Sequence, residues 1–380
     1  MKLVKLSLAA VIAAGAMTTF ASATPLEEAI KGVEVSGMAR VRFYHQSDAR
    51  YPLGLQGRVP AGETDLGSQA TQVSGLLNIS SPIAENFTFG TSLATDGYNT
   101  PGNDASFPTG VTVDKFFFQY ASGNVVLKAG KIEIPTPWTE AGFGGSRGNG
   151  ILALYTGVES WTLAAAYYNQ INGAELEDMF GQEDLMAVAA IGGFEVATLQ
   201  GWASRMTNVF DYNVFGQVDV NLSGFKGTAQ ANYMRLDKDL AVALDTDKSG
   251  IFVGFTLGYE NENFFVTGGF TKSDSDMPIY ALTADNDGFI KFGQQLYLLT
   301  TNTADTEVYF LKAGANFGKF GVEAGYGKAD FGSDEADEVY GLLSYKLAKN
   351  LSTELYYSVL NSDWADEENN ELRLQVEYNF

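Results

Sequence analysis

The sequence contains no cysteine, one histidine (His45), nine prolines and only 24 basic residues against 46 acidic ones. Without cysteine there are no disulfide staples, so an exported chain of this size depends on its hydrogen-bonded framework. With a single histidine and no thiol, Ser–His or carboxylate–water chemistry would rest on one residue, which argues against an enzyme. A formal charge of −22 removes nucleic acid as a partner, since such proteins need a basic patch. The same field attracts cations and repels anions. No apolar run reaches the ~18 residues of a spanning helix. What is abundant is glycine (42), phenylalanine (26) and tyrosine (19), which suits many strands and tight turns better than a helical protein.

The last ten residues, ELRLQVEYNF, alternate strictly. Leu372, Leu374, Val376, Tyr378 and Phe380 fall on one face of a strand, and Arg373, Gln375, Glu377 and Asn379 on the other. An edge strand of a soluble sandwich would alternate in the same way. The pattern, however, recurs about 18 times upstream with almost no candidate helix, as in an outer-membrane barrel whose strands face lipid and a polar lumen in turn. The other end reads as a secretory signal: Lys2 and Lys5, an apolar stretch from Leu6 to Met17, then Ala21-Ser22-Ala23. The expected division is therefore a signal peptide over 1–23 and one barrel domain over 24–380.

Connection lengths set the expected topology. Short turns fall at Ser81–Asn86, Ser122–Asn124, Glu159-Ser160, Gly192-Gly193, Ser223-Gly224, Asn261–Asn263, Gly318-Lys319 and Ala348–Asn350. Between them lie longer connections, among them His45–Ala70, Asp96–Thr112, Glu133–Asn149, Ile171–Asp184 and Ser273–Thr306. Odd strands ending in long loops and even strands in short turns predict an all-β transmembrane antiparallel barrel of about 18 strands. Both termini would then lie on the periplasmic side, with short periplasmic turns and long extracellular loops. Phe87, Trp161, Phe225, Phe264, Phe320, Tyr259, Phe317, Tyr345 and Tyr378 cluster beside the short turns and predict an aromatic ring at that interface. The register from Leu185 to Arg205 is the least defined. The apolar patch Phe289–Leu299 would be a nineteenth strand and break parity, so it is expected to be loop folded onto the barrel.

MKLVKLSL, ATPLEEAI and Val33–Gly37, then Ala129–Thr139 and Leu163–Ala165, closely resemble the major outer membrane porins of Campylobacter and its relatives. The resemblance implies an 18-stranded trimeric porin admitting small hydrophilic solutes by passive, mainly cation-favouring diffusion. A final strand ending in Phe380 likewise resembles the signal read by the barrel assembly machinery. The expected surroundings are outer-membrane lipid and lipopolysaccharide. A substrate-specific channel or a surface adhesin on a barrel are the alternatives.

Channel selectivity comes from charged side chains at a constriction. The loop Glu133–Asn149 is the best candidate to enter the lumen. Pro135 and Pro137 stiffen its entry, and four glycines permit a compact path. Glu133 and Glu140 bring negative charge and Arg147 positive. Pairing Val33 with Phe380 would set Arg40 beside Arg373, with Arg42, Lys115 and Lys128 on the same inward surface. The expectation is a basic stripe facing acidic loop residues. No cofactor is implied. Acidic loop clusters such as Asp245–Gly250 and Asp285–Gly288 could hold Ca²⁺ or Mg²⁺, but neither carries the glutamate that completes an EF-hand loop.

Overall fold

The computed structural model describes residues 32–47, 68–99, 110–172, 182–278, 282, 286–300, 303–363 and 368–380. The signal sequence, the mature start at Thr24 and Asp285 lie outside them.

Alternating apolar and polar residues form 18 antiparallel strands in sequence order. They are β1 (Glu34–Gln46), β2 (Ser68–Ala84), β3 (Phe87–Asn99), β4 (Thr112–Ser122), β5 (Val125–Glu133), β6 (Arg147–Val158), β7 (Trp161–Asn172), β8 (Leu185–Gly193) and β9 (Ala197–Met206). The second half comprises β10 (Phe210–Leu222), β11 (Phe225–Leu236), β12 (Ser249–Glu260), β13 (Phe264–Ser273), β14 (Glu307–Phe317), β15 (Phe320–Asp330), β16 (Glu335–Ala348), β17 (Leu351–Ser362) and β18 (Asn369–Asn379). Two short helices, α1 (Lys238–Ala243) and α2 (Leu296–Thr300), lie in connections at the loop-bearing end. Each strand pairs with its neighbour, and β1 pairs with both β2 and β18, so the sheet has no free edge. Closure lets neighbouring strands satisfy one another's backbone groups, apart from local register slips such as that at Phe210/Tyr212, which is the condition for crossing hydrocarbon with strands.

The closing register differs from the sequence expectation. Gly37, not Val33, lies opposite Phe380, exchanging both backbone hydrogen bonds with it (2.9 and 3.1 Å). Arg40 therefore faces Glu377, and Arg373 faces Tyr44. The shift is four residues, an even number, so every side chain keeps its face. Strand stagger in a closing barrel is a property of the whole circuit and leaves no local trace in either strand. Gly37 suits the seam: a Cβ there would come within 2.6 Å of the Phe380 ring and 2.2 Å of the Leu76 carbonyl.

Outward positions form an apolar belt, with Leu257 and Phe317 each 66% exposed on the isolated chain. Beside the short turns, Phe225–Tyr259, Phe320–Tyr345 and Phe87–Tyr120 rings lie 5.2, 4.5 and 4.9 Å apart. Rings at this level suit a headgroup boundary. The opposite end has its own tyrosines, including the stacked Tyr212–Tyr233 pair and Tyr309 against Phe270.

Two expectations need adjusting. The β9–β10 and β15–β16 connections are only three and four residues long, 207–209 and 331–334, so odd strands do not always end in long loops. Gly192 and Gly193 end β8, and the turn itself is 194–196. β8 alternates weakly because both its faces are apolar. Met186 and Val188 point outward, while Leu185, Ala187, Ala189 and Ile191 are buried inside.

Candidate functional site: the luminal constriction

The loop 134–146 turns into the barrel. Its base is closed by Ile134 N–H donating to Ser146 O (3.2 Å) and Ser146 N–H to Glu140 O (3.0 Å). Thr136 and Thr139 join by their hydroxyls (3.0 Å), and the Thr139 hydroxyl donates to Ile134 O. These bonds satisfy a buried bend that has no ladder partner. Trp138 is fully buried and its indole N–H donates to Asn232 Oδ1 on β11 (2.8 Å). The loop thus reaches from the β5–β6 edge to the inner wall of β11. Ile132, Ile134, Leu152, Leu154, Trp202 and Met234 are among the residues clustered around it.

A second segment, 286–300, also enters the lumen. This is the apolar patch expected to fold onto the barrel; it folds inside it. Phe289 lies between the Phe215 and Phe252 rings (5.8 and 4.9 Å). Gln230 on β11 accepts from Ile290 N–H (2.8 Å) and donates to Gly288 O (3.0 Å). Further on, Phe292 stacks on Phe310 and approaches Tyr340 (5.2 and 5.4 Å). The Glu338 carboxylate, fully buried on β16, accepts from the N–H groups of Gln294, Gln295 and Leu296 (3.0, 3.1 and 2.8 Å) and from the Tyr356 hydroxyl (2.7 Å). Gln295 bonds Ser358 and Asn369 on β17 and β18. The segment therefore runs along the inner wall from β10–β12 to β18.

The two loops touch. Ala141 N–H donates to Asp287 Oδ2 (2.7 Å), and Asp287 N–H to Thr139 O (3.2 Å). Only glycine fits at 288, where a Cβ would stand 2.3 Å from the Pro137 carbonyl. Together the loops carry apolar side chains over the inner wall from β6 to β17.

The inner face of β18 and β1–β5 is different. Arg40 donates to Ser74 Oγ (3.5 Å), and its guanidinium lies 5.4 Å from the Phe143 ring at the tip of loop 134–146. Arg42 donates to Gln375 Oε1 and to the Tyr44 hydroxyl, which in turn donates to Gln72. Arg373 donates to Gln294 Oε1 (3.0 Å) and lies over the Tyr356 ring (5.1 Å). Lys115 pairs with Glu133 (2.9 Å), and Lys128 lies over the Phe117 ring beside them.

Of the eight residues singled out from sequence, Arg40, Arg42 and Arg373 share one region of wall, although Arg40 and Arg373 are not opposite each other. Lys115, Lys128, Glu133 and Arg147 share another, at the neck of loop 134–146. Glu140 sits half-buried near the loop tip. Arg147 needs correcting as a pore-facing cation. It is 1% exposed, grips both oxygens of Asp114 (3.0 and 3.1 Å), and donates to Ser146 O and Gly142 O. A fully buried guanidinium with all these acceptors is an anchor, because its own donors are consumed in holding the neck. The sequence reading missed Glu338, Gln230, Asn232 and Gln295. Each is a polar residue on an inward strand position or in a loop, indistinguishable there from one that merely meets water.

Among the described residues, no three Asp, Glu, His or Cys gather in an arrangement able to hold a metal ion. His45 is exposed near the end of β1, on the outward face with Phe43.

Solved structures give the architecture a context. Acinetobacter baumannii OccAB1 matches with a TM-score of 0.72 at 11% identity, covering 92% of this chain and 96% of that one. Pseudomonas aeruginosa OccK11 (OpdR) matches with a TM-score of 0.71 at 12% identity over 96% and 99%. A BenF-like porin from Pseudomonas fluorescens Pf-5 gives 0.71 at 10% identity over 92% and 98%. At such identities the likeness concerns the fold alone. No curated protein matches the sequence. The sequence pattern of the Campylobacter major outer membrane protein family, by contrast, matches residues 1–380. A match along the whole length, on a closed barrel with porin architecture, means that this chain belongs to the Campylobacter major outer membrane protein family and is a non-enzymatic porin channel of the outer membrane.

Proposed function

We propose that hydrated ions and small hydrophilic solutes diffuse along the face formed by β18 and β1–β5, and that cations are favoured. The observation that carries this reading is the division of the lumen. At the level of the two loops, apolar side chains occupy the wall from β6 to β17, with Asp219, Lys226 and Glu323 inward nearer the short turns, while guanidinium, ammonium, carboxylate and amide groups line the remaining wall. Hydrated solutes follow polar walls, because crossing an apolar layer strips their water. Arg40, Arg42, Lys115 and Lys128 form the basic side of the route, with Glu133, Glu140 and Glu377 beside them. The excess of 46 acidic over 24 basic residues biases the mouth toward cations. The same reading takes residues 1–23 as an export signal, Phe380 as the contact for the assembly machinery, and the working unit as a trimer in a lipopolysaccharide-bearing membrane.

Single-channel recording in a planar bilayer, with a reversal potential across a KCl gradient, tests this. Stepwise conductance with a cation-side potential, closing in threes, is the expected result. Membrane-inserted protein with no conductance would overturn the route, and an anion-side potential would overturn the selectivity.

A further inference from the structure

We infer that Phe143, at the tip of loop 134–146, sets the bore of the channel. Its ring reaches the polar wall at Arg40 and confines the open route to the β18–β1 side. The inference rests on the route along the polar wall proposed above, and names the side chain that limits it.

The tip is built to project. Gly142 and Gly144 flank Phe143 at φ of 86° and 79°, a backbone that favours glycine, and a Cβ at either would meet nothing within 4 Å. Open space on both flanks means that the tip packs against neither wall nor loop there. Just behind it the chain is fixed. Ala141 N–H donates to Asp287 Oδ2 (2.7 Å), Arg147 donates to Gly142 O, and Ser146 N–H donates to Glu140 O (3.0 Å). A Cβ at Gly145 would stand 2.4 Å from the Glu140 carbonyl, so the returning limb of the bend is tight. A clamped base holds Phe143 outward where a loose loop would let it swing back. None of these bonds uses the Phe143 ring, so the base does not depend on that side chain.

What the ring meets is Arg40. The guanidinium carbon lies 5.4 Å from the ring centroid, within range of a cation–π contact. Arg40 stands on β1 and donates to Ser74 Oγ on β2 (3.5 Å). The contact therefore joins a loop rooted at β5–β6 to the wall at β1–β2, and β2–β5 close the circuit behind it. Inside that circuit Ser74 and Ser92 are each 2% exposed and Gln119 6%, although all are polar and face inward. On the other side of the contact, Arg42, Arg373 and Glu377 keep partial exposure, with Gln375 covered where it bonds Arg42 and Glu377. One polar wall is thus shielded on one side of a single aromatic contact and open on the other. Groups lining the constriction decide what passes. While the contact holds, solute meets Arg42 and Arg373. When it parts, the route widens to the β2–β5 wall, and Lys115 and Glu133 join it.

The chain has no cysteine, so a single introduced thiol reports on its own surroundings. The test places Ser92→Cys behind the contact and Glu377→Cys on the open side, each in the full chain in detergent micelles, and follows labelling by a water-soluble maleimide. Ser92→Cys should react more slowly than Glu377→Cys. Adding Phe143→Ala should speed labelling at position 92 about tenfold, the population shift expected when such a contact is lost, and leave position 377 unchanged. Phe143→Tyr keeps a ring and should leave both rates as they were. In planar bilayers Phe143→Ala should raise single-channel conductance without lowering the thermal midpoint. Fast labelling at position 92 with Phe143 intact, or no acceleration by Phe143→Ala, overturns the inference. Equal acceleration at both positions marks a general loosening and overturns it too. If Phe143→Ala fails to fold, Arg40→Ser breaks the same contact from the wall and carries the same comparison. A chain with the expected labelling rates that does not conduct refutes the route alone. One that conducts while labelling at position 92 ignores Phe143 refutes this inference alone.

Discussion

The two sides of the lumen are built from the same alternating strands and do opposite things. On the β6–β17 side, inward positions hold Leu152, Ala189, Trp202, Phe215, Met234 and Tyr340, and the loops cover them. On the side of β18 and β1–β5, inward positions hold Arg40, Arg42, Gln72, Ser74, Lys115 and Arg373. A barrel this wide could hold a broad water column, as many-stranded porins do. Here roughly the larger arc of wall supports a second, internal core, and the proposed route is what that core leaves over. Pore size is thus a packing property of two loops as much as a strand count.

Loosening the packed side should have the largest effect. Trp138→Ala removes a fully buried indole and its bond to Asn232, at a cost of about 3–5 kcal/mol to the seat of loop 134–146. Conductance should rise and become noisy, with the thermal midpoint lowered. Unaltered conductance would mean that the loop does not bound the route.

Next in size is the neck. Arg147→Ala leaves Asp114 buried without its partner, a loss of about 3–5 kcal/mol for a broken buried pair. The expected outcome is a lower midpoint in denaturant unfolding with selectivity little changed, because Arg147 anchors and does not face solute. A large selectivity change would return it to the pore wall.

Glu338→Gln should have an effect of comparable size on the second loop. The carboxylate accepts four hydrogen bonds, whereas an amide has a single acceptor oxygen. Losing about half of these charge-assisted bonds costs roughly 1.5–3 kcal/mol each. Segment 286–300 should then sample detached positions, visible as current flicker and as faster amide exchange at residues 294–296. Quiet current together with unchanged exchange would remove Glu338 as its latch.

The smallest structural disturbance sharpens the polar side. Replacing Arg40 and Arg42 with Ser should raise cation preference in reversal-potential measurements and leave the midpoint nearly unchanged, since their bonds to Ser74, Gln375 and Tyr44 run to strand side chains at the polar wall. An unchanged reversal potential would take both out of the constriction.

Period-two alternation and turn residues were enough to place the strands. β18, Asn369–Asn379, falls on the alternating stretch ELRLQVEYNF. The same alternation said which residues face inward, because a face depends only on position parity along one strand. It failed at β8, where lipid and an internal loop make both faces apolar. It was silent on register at the β1–β18 seam, where a four-residue shift preserves every face. Within the site, Arg40, Arg42 and Arg373 were legible as inward cations. Arg147 was misread because its depth is set by Asp114, 33 residues away.

What the sequence determined by itself was the barrel: its strands, its two-sidedness and its lipid-facing surface, all short-range patterns repeated along the chain. What only the tertiary structure decided was the channel within it. Glu338 became a latch for segment 286–300, and Asn232 a seat for Trp138, through contacts 42 to 94 residues apart. Such partners depend on how a closed circuit of strands brings distant inward positions face to face, and no local periodicity encodes that.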